Sequence, residues 1–221
     1  MKPTLIYCYD AYCGWCYGFS EVIKKIYSDY KNQLDIEVLS GGMILPGEPV
    51  SIAATAKFIE GGYKKVEELT GAKFGEDYLW HIKHADQSDW FPNSEKPAIA
   101  LCVFKEYFPN QQVSFAADIQ YALHFEGRDL TDDEAYRFLL EKYNIPTEEF
   151  YEKLIDEEYK EQAYHEFDLC KQLDVSGFPS VFLQTSDTKF YHIARGYTPF
   201  ESLNERIQNI IRKKNGPAIT T

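Results

Sequence analysis

The residues best suited to chemistry in this sequence are Cys13 and Cys16, which are separated by Gly14 and Trp15. This spacing allows a short disulfide across the first turn of a helix. A thiolate is the reactive form of cysteine, and the free N–H groups and positive dipole end at a helix N-terminus stabilise it. We therefore expect a redox-active pair, in which Cys13 attacks a substrate disulfide and Cys16 resolves the mixed disulfide that forms.

Two cysteines at this spacing also occur in zinc sites, where four ligands surround the metal. Cys8 is the nearest further thiol, but it lies within an apolar segment, and the sequence has no second Cys-x-x-Cys or Cys-x-x-His. His81 and His84 could share a helix face, yet the Lys and Asp residues around them suit a solvated surface. We expect no metal site and interpret the pair as redox-active.

The remaining cysteines are scattered along the chain. Five cysteines in 221 residues are an odd number, which does not suit a framework of structural disulfides. One close pair with three single cysteines is typical of a reducing compartment. Cys8, Cys102 and Cys170 lie in apolar segments, and we expect them to be small core residues.

The spacing of apolar residues predicts the elements that position the pair. Thr4–Tyr9 is an apolar and aromatic run typical of a buried strand, helical spacing begins at about Tyr17, and Asp35–Ser40 alternates like a second strand. Strand, helix and strand predict a right-handed βαβ unit with parallel strands. The pair would then lie at the junction between the first strand and the first helix.

A long stretch of helical character follows. The segments that suit helices are 50–70, 94–108, 114–126, 132–143 and 148–173. Thr131 and Glu134 have the spacing of a capping box, which predicts a helix start at this point. Because no alternating segment rich in Val and Ile interrupts the stretch, we expect an all-helical insertion.

Strand patterns return after Gly177. Residues 180–184 and 190–194 predict a hairpin, and residues 198–201 predict the start of a last helix that Gly216 and Pro217 end. The order β-α-β, helical insertion, β-β-α predicts an α/β fold with four strands in one sheet.

This order also predicts a division into domains. We expect residues 1–45 and 165–221 to form the two parts of one α/β domain. Residues 46–164 would form a helical domain inserted between them.

A second motif precedes the third predicted strand, where residues 175–180 read Val-Ser-Gly-Phe-Pro-Ser. With the early cysteine pair and the β-β-α ending, this motif is similar to the thioredoxin superfamily, in which a cis-proline loop faces the dithiol. The helical insertion resembles the DsbA family in particular. Residues 10–18, Asp-Ala-Tyr-Cys-Gly-Trp-Cys-Tyr-Gly, resemble its cytoplasmic FrnE-like members, which are often labelled predicted protein-disulfide isomerases.

The resemblance implies a thioredoxin-like fold and a role for each matching residue. Cys13 matches the nucleophile, Cys16 the resolving thiol and Pro179 the cis-proline. The backbone of Phe178 would pair with an extended substrate, since a strand-like peptide can add to an exposed backbone segment.

Two positions differ from the pattern of the relatives. Gly14 and Trp15, which we expect to contact the substrate, include no His, so a reductase or isomerase is expected rather than a strong oxidant. Thioredoxin has a buried acid beneath its resolving cysteine, whereas the matching strand positions here are Ile6 and Tyr7. Asp10 matches the position of this acid only loosely, so the residue that transfers the proton is not assigned.

The resemblance implies a thiol–disulfide oxidoreductase or isomerase that acts on disulfide-containing proteins or small thiols, without a cofactor and with glutathione as a candidate recycling thiol. Kappa-class glutathione transferases and 2-hydroxychromene-2-carboxylate isomerases are an alternative with the same architecture, but they carry Ser at the first motif position and lack the second thiol. A non-catalytic binding module with a redox-sensitive dithiol is the other alternative. The physiological substrate, the reduction potential and the oligomeric state stay open.

The composition argues against two classes of partner. Lys and Arg number 23 against 35 Asp and Glu, and the formal net charge of −12 opposes binding to nucleic acid or to an anionic membrane. The first apolar run ends at Tyr9, which is short for a signal peptide, and no stretch reaches the roughly 18 apolar residues that span a bilayer. We expect a cytoplasmic protein.

Overall fold

A computed structural model describes residues 2–45 and 47–215, so the predicted helix end at Gly216 and Pro217 lies outside the described residues. Within these ranges four strands form one sheet in the order β2-β1-β3-β4. The strands are β1 (Thr4–Tyr9), β2 (Asp35–Ser40), β3 (Ser180–Ser186) and β4 (Lys189–Arg195). β1 pairs with β2 in parallel and with β3 in antiparallel, and β3 and β4 form the predicted hairpin.

The helices confirm the predicted α/β fold with a large helical insertion. They are α1 (Gly14–Tyr30), α2 (Ala53–Thr70), α3 (Glu76–Lys83), α4 (Glu95–Tyr107), α5 (Gln112–His124), α6 (Glu134–Tyr143), α7 (Thr147–Leu154), α8 (Glu157–Gln172) and α9 (Phe200–Asn215). Throughout the described part of the chain, none of these helices has both the length and the apolar composition for crossing a membrane.

Three predictions about the helices were wrong in detail. The sequence patterns did not predict α3, and the segment 148–173 is two helices rather than one. The break occurs because the carboxylate of Asp156 accepts a hydrogen bond from the N–H of Glu158 at 2.9 Å, which caps the start of α8. The predicted capping box is absent: the hydroxyl of Thr131 donates to Asp129 at 2.8 Å, and α6 begins only at Glu134.

Successive side chains of β1 point to opposite faces of the sheet, as the pleat of a strand requires. Leu5 and Tyr7 lie in the large core that includes α1 and α9. Ile6 and Cys8 lie in a smaller cluster on the other face, where Cys170 of α8 packs against them. The sheet therefore has helices on both faces, and the cysteine pair belongs to the α1 face.

Hydrogen-bonded charged side chains attach the helical insertion to the sheet. Lys105 of α4 donates hydrogen bonds to Glu166 of α8 at 2.6 Å and to Glu37 of β2 at 2.8 Å. Glu166 also accepts a hydrogen bond from the backbone N–H of Ser40 at 2.8 Å. The predicted boundary between residues 164 and 165 falls inside α8, and the division into domains stays a prediction.

A cluster of aromatic rings joins α1, α3 and α5 in the core. The ring of His124 lies between those of Tyr17, Phe74 and Tyr78, with centroids at 5.0, 5.4 and 5.0 Å. His124 is fully buried, and its ring nitrogens have no hydrogen-bond partner among the described residues. Burial lowers the pKa of His124 from 6.5 to about 3, so the imidazole is neutral at neutral pH.

This neutral imidazole predicts an acid-sensitive fold. Between pH 6.5 and about 3 the unfolded chain binds a proton at His124 that the folded chain excludes, so stability falls as the pH falls through this window. Lowering the pH from 7 to 5 should cost about 2 kcal/mol through this residue, at about 1.4 kcal/mol per pH unit. His124→Phe keeps a ring but cannot bind a proton, so urea unfolding should show a correspondingly smaller loss.

The exposed His165 provides the control, because His165→Gln should keep the wild-type difference between pH 7 and 5. The same loss in wild type and in His124→Phe would contradict the assignment of this acid sensitivity to His124.

Candidate functional site

The cysteine pair lies where β1 turns into α1. Cys13 is the extended N-cap residue of α1, and Cys16 lies in its first turn. The turn is held by the N–H of Cys13, which donates to the carbonyl of Asp10 at 3.1 Å, while the carbonyl of Cys13 accepts from Tyr17 at 3.0 Å. Both cysteines are free thiols. This places Cys13 at the positive end of the helix dipole.

The two thiols differ in access to solvent. Cys13 is 7% exposed, and Cys16 is 0% exposed. Burial raises the pKa of Cys16 well above 9, and a hydrogen bond from its thiol to Cys13 raises the pKa further. Cys16 is therefore protonated at neutral pH, and Cys13 is the more accessible of the two thiols.

The loop before β3 reaches this pair from the far end of the sequence. The peptide bond between Phe178 and Pro179 is cis. The carbonyl oxygen of Phe178 lies 3.5 Å from Sγ of Cys13 and accepts its S–H hydrogen bond. Pro179 is buried, and its carbonyl accepts from the N–H of Gly196 at 2.7 Å, which fixes the loop to the end of β4. Two motifs separated by more than 160 residues thus form one site.

The ring of Phe178 occupies space that a missing side chain leaves free. Gly41 follows β2, and a Cβ atom at this position would lie 2.0 Å from Cζ of Phe178. Any larger residue at position 41 therefore has to displace the ring. The sequence shows a glycine here but does not reveal its partner. Phe178 precedes β3, and β1 lies between β3 and β2 in the sheet.

The remaining predicted contact residues surround the opening to Cys13. Gly14, Trp15 and Phe178 are partly exposed, whereas the cysteines are buried. Gly14 lies against Phe74, because a Cβ there would be 3.3 Å from Cζ of that ring. The predicted contact residues therefore provide the backbone of Gly14, which has no side chain, and the aromatic side chains of Trp15 and Phe178.

A buried carboxylate supports the motif from below. Oδ2 of Asp10 accepts a hydrogen bond from the N–H of Met43 at 2.7 Å, and Oδ1 accepts from the N–H of Tyr12 and the hydroxyl of Ser94, both at 3.0 Å. Asp10 is 2% exposed. Burial raises its pKa, and the hydrogen bonds from Met43, Tyr12 and Ser94 oppose that rise.

A side chain from the helical insertion completes this support. Gln120 of α5 donates to the backbone carbonyl of Asp10 at 3.2 Å and accepts from the hydroxyl of Ser20 at 3.1 Å. Gln120 is 1% exposed, and Ser20 also lies within hydrogen-bonding distance of the carbonyl of Cys16. Sequence reasoning did not find Gln120, Ser20 or Ser94, because no motif links them to the cysteines.

The histidines considered as zinc ligands have other partners. Nδ1 of His81 is 2.8 Å from the hydroxyl of Ser88, and Nδ1 of His84 is 3.1 Å from the carbonyl of Trp80. Across residues 2–45 and 47–215, no group of three or more His, Cys, Asp and Glu side chains is arranged to hold a metal ion.

Removing the carboxylate should loosen the motif. Asp10→Ala leaves the N–H groups of Tyr12 and Met43 and the hydroxyl of Ser94 without their acceptor, so the free energy of unfolding should fall by about 3 kcal/mol. Ser94→Ala is the matched variant, because it removes one donor and keeps the acceptor, and it should cost about 1 kcal/mol. Urea unfolding measures both, and an equal loss in the two variants would contradict the central role of the carboxylate.

Crowding the ring of Phe178 should open the site. Gly41→Ala forces the ring and its carbonyl away from Cys13, so iodoacetamide should alkylate Cys13 faster, and the free energy of unfolding should fall by about 2 kcal/mol. Gly47→Ala is the control, because a Cβ at that position meets no atom within 4 Å. Mass spectrometry of the alkylated peptides gives the rate, and an unchanged rate at Cys13 in Gly41→Ala would refute the proposed contact.

Comparison with solved structures places this fold among known proteins. A candidate protein disulfide isomerase from Nitrosomonas europaea is 24% identical, with a TM-score of 0.82 over 96% of this chain and 99% of that chain. The cytosolic disulfide reductase DsbM from Pseudomonas aeruginosa, also solved with GSH, is 22% identical, with a TM-score of 0.75 over 95% and 99%. A 2-hydroxychromene-2-carboxylate isomerase is 11% identical, with a TM-score of 0.64 over 96% and 98%.

At these identities the solved structures confirm the predicted thioredoxin-like fold and no more. None of the curated proteins matches the sequence significantly. A family model described as a DSBA-like thioredoxin domain matches residues 4–208. Because this match spans nearly the whole chain, the protein belongs to the DSBA-like thioredoxin domain family.

Proposed function

We propose that this protein is a thiol–disulfide oxidoreductase that exchanges disulfides with proteins or small thiols through Cys13 and Cys16. The observation that carries the proposal is the contact between Sγ of Cys13 and the carbonyl of Phe178 at 3.5 Å. This contact joins a thiol at a helix N-terminus to a backbone acceptor in a loop that can bind an extended substrate.

The exchange follows from the different environments of the two sulfurs. The thiolate of Cys13 attacks one sulfur of a substrate disulfide, forms a mixed disulfide and expels the other sulfur as a thiolate. Cys16 then attacks Sγ of Cys13 and gives its proton to the departing substrate sulfur, so that the Cys13–Cys16 bond forms and the second substrate sulfur leaves as a thiol. Burial keeps Cys16 away from other disulfides until a mixed disulfide has formed at Cys13.

The substrate would lie against Gly14, Trp15 and Phe178. Their partial exposure around a buried thiol supports a substrate that is extended or small enough to present one sulfur to Cys13. Glutathione is the small thiol we propose for recycling the pair, and the structure of DsbM with GSH supports this choice. No cofactor is needed for the exchange.

A reducing direction and a cytoplasmic location are part of the proposal. The dipeptide Gly14-Trp15 lacks the His of strongly oxidising relatives, and the three further cysteines are free thiols. The similar DsbM is described as cytosolic. The 2-hydroxychromene-2-carboxylate isomerase shares the fold, but the second thiol of this chain favours disulfide exchange over that reaction.

Separate replacement of the two thiols tests the proposal. Reduced glutathione together with the wild-type protein should reduce insulin faster than reduced glutathione alone. Cys16→Ser should abolish turnover and accumulate mixed disulfides at Cys13, because the resolving attack is lost. Cys13→Ser should abolish both turnover and adducts, because Cys16 is 0% exposed. Non-reducing gels and mass spectrometry of the adducts give the result.

Cys102→Ser is the matched control, since it replaces a buried thiol of α4 outside the pair and should keep wild-type turnover. Insulin reduction no faster than with glutathione alone would favour a binding module. Adducts formed equally by the two variants of the pair would overturn the assigned order of attack.

A further inference from the structure

The amide side chain of Gln120 connects the two sides of the cysteine motif. It belongs to α5 of the helical insertion and is 1% exposed. Its Nε2 lies 3.2 Å from the backbone carbonyl of Asp10, and its Oε1 lies 3.1 Å from the hydroxyl of Ser20. Since a carbonyl can only accept a hydrogen bond, the NH2 group faces Asp10 and the amide oxygen accepts from Ser20. The amide therefore forms a bridge from the residues before the motif to α1.

Each end of this bridge reaches the backbone of one cysteine. The carbonyl of Asp10 that accepts from Gln120 also accepts from the N–H of Cys13 at 3.1 Å. The hydroxyl of Ser20 that donates to Gln120 also lies 3.3 Å from the carbonyl of Cys16. One buried side chain thus holds together the two backbone segments that carry the thiols.

The bridge matters because the two cysteines are free thiols in this structure. Without a bond between the sulfurs, the relative position of Cys13 and Cys16 depends on the hydrogen bonds around the turn. A disulfide requires the two Cβ atoms to lie within roughly 3.5–4.5 Å of each other. Two groups that are already held in place react more readily than two groups that must first be brought together. A bridge between the backbones of both cysteines therefore favours the formation of their disulfide.

We infer that Gln120 is a positioning residue that holds Cys13 and Cys16 in place for the formation of their disulfide. The inference rests on the proposed function. When glutathione disulfide oxidises the pair, the thiolate of Cys13 attacks it, forms a mixed disulfide and releases one glutathione as a thiolate.

The second step of this oxidation is the one on which Gln120 acts. Sγ of Cys16 attacks Sγ of Cys13, the bond from Cys13 to glutathione breaks, and the proton of Cys16 leaves with the second glutathione. The pair is then oxidised to the disulfide, and glutathione disulfide is reduced to two molecules of glutathione. Only this step brings the two cysteines together, so a looser turn should slow it and make the Cys13–Cys16 disulfide less favourable.

A second glutamine of α5 separates this role from packing of the helix. Gln112 is 6% exposed, and its Nε2 donates to the carbonyls of Ile36 and Pro109 at 3.0 and 2.9 Å. Its Oε1 accepts from the N–H of Val38 at 2.7 Å. Two of these partners belong to β2, and none belongs to the cysteine motif. The helix thus carries two buried amides that bond to backbone, of which Gln120 alone bonds to the motif.

Equilibration of the protein in mixtures of reduced glutathione and glutathione disulfide tests this role. Gln120→Met keeps a long side chain but removes both hydrogen bonds. The equilibrium constant for forming the Cys13–Cys16 disulfide should fall about tenfold, the effect of losing about one hydrogen bond, which raises the reduction potential by about 30 mV. The mixed disulfide of Cys13 with glutathione should accumulate. Mass spectrometry after acid quenching and alkylation measures both species.

Gln112→Met is the matched control, because it removes comparable hydrogen bonds from the same helix and should keep the wild-type equilibrium even where it lowers the melting temperature. Ser20→Ala removes only the α1 end of the bridge and should shift the equilibrium in the same direction as Gln120→Met. This milder variant decides the question if Gln120→Met does not fold.

A wild-type equilibrium in Gln120→Met or in Ser20→Ala would overturn the role of Gln120 and leave the proposed function intact. An equal shift in Gln112→Met would assign the effect to the packing of α5 and would also overturn the role. A wild-type protein that forms no Cys13–Cys16 disulfide in any of these mixtures would overturn the proposed function itself.

Discussion

The geometry of the site depends on the carboxylate of Asp10. Its three donors belong to three separate parts of the fold: the motif turn at Tyr12, the segment after β2 at Met43 and the start of α4 at Ser94. Burying a carboxylate destabilises the fold unless its oxygens accept hydrogen bonds. If any of these three parts moved away, the carboxylate would lose a hydrogen bond and the folded state would lose stability. The backbone carbonyl of Asp10 also accepts a hydrogen bond from the N–H of Cys13. The same residue therefore fixes the position of Cys13 at the start of α1.

The helical insertion is part of the site rather than an appendage to it. Gln120 of α5 forms hydrogen bonds on both sides of the motif turn: it donates to the backbone carbonyl of Asp10 and accepts from the hydroxyl of Ser20. On the other face of the sheet, the buried ion pair of Lys105 and Glu166 connects α4 and α8. A change in how the insertion packs would therefore alter the position of α1, and with it the environment of the dithiol.

Local patterns were sufficient for the strands, for most of the helices and for the cysteine motif, but not for the long-range partners of these elements. The bounds of β1 and β2 and the position of the cysteine pair follow from residue spacing along short segments, whereas the proline loop follows from the family resemblance. The sequence does not reveal that Asp156 caps a helix in the middle of a helical pattern, because an exposed Asp fits the same periodicity. Nor does it pair Ser94 or Gln120 with the motif, or Gly41 with the ring above it, since each contact joins residues distant in sequence.

The pleat of β1 also separates four of the five thiols of this protein into two pairs. Cys8 and Cys170 lie on the α8 face, while Cys13 and Cys16 lie on the α1 face. A disulfide requires the two Cβ atoms to come within roughly 3.5–4.5 Å, and a side chain cannot pass through the backbone of a paired strand. In the folded protein Cys16 therefore cannot form a disulfide with either of the thiols behind the sheet. The sheet thus separates the proposed redox pair from both of these thiols.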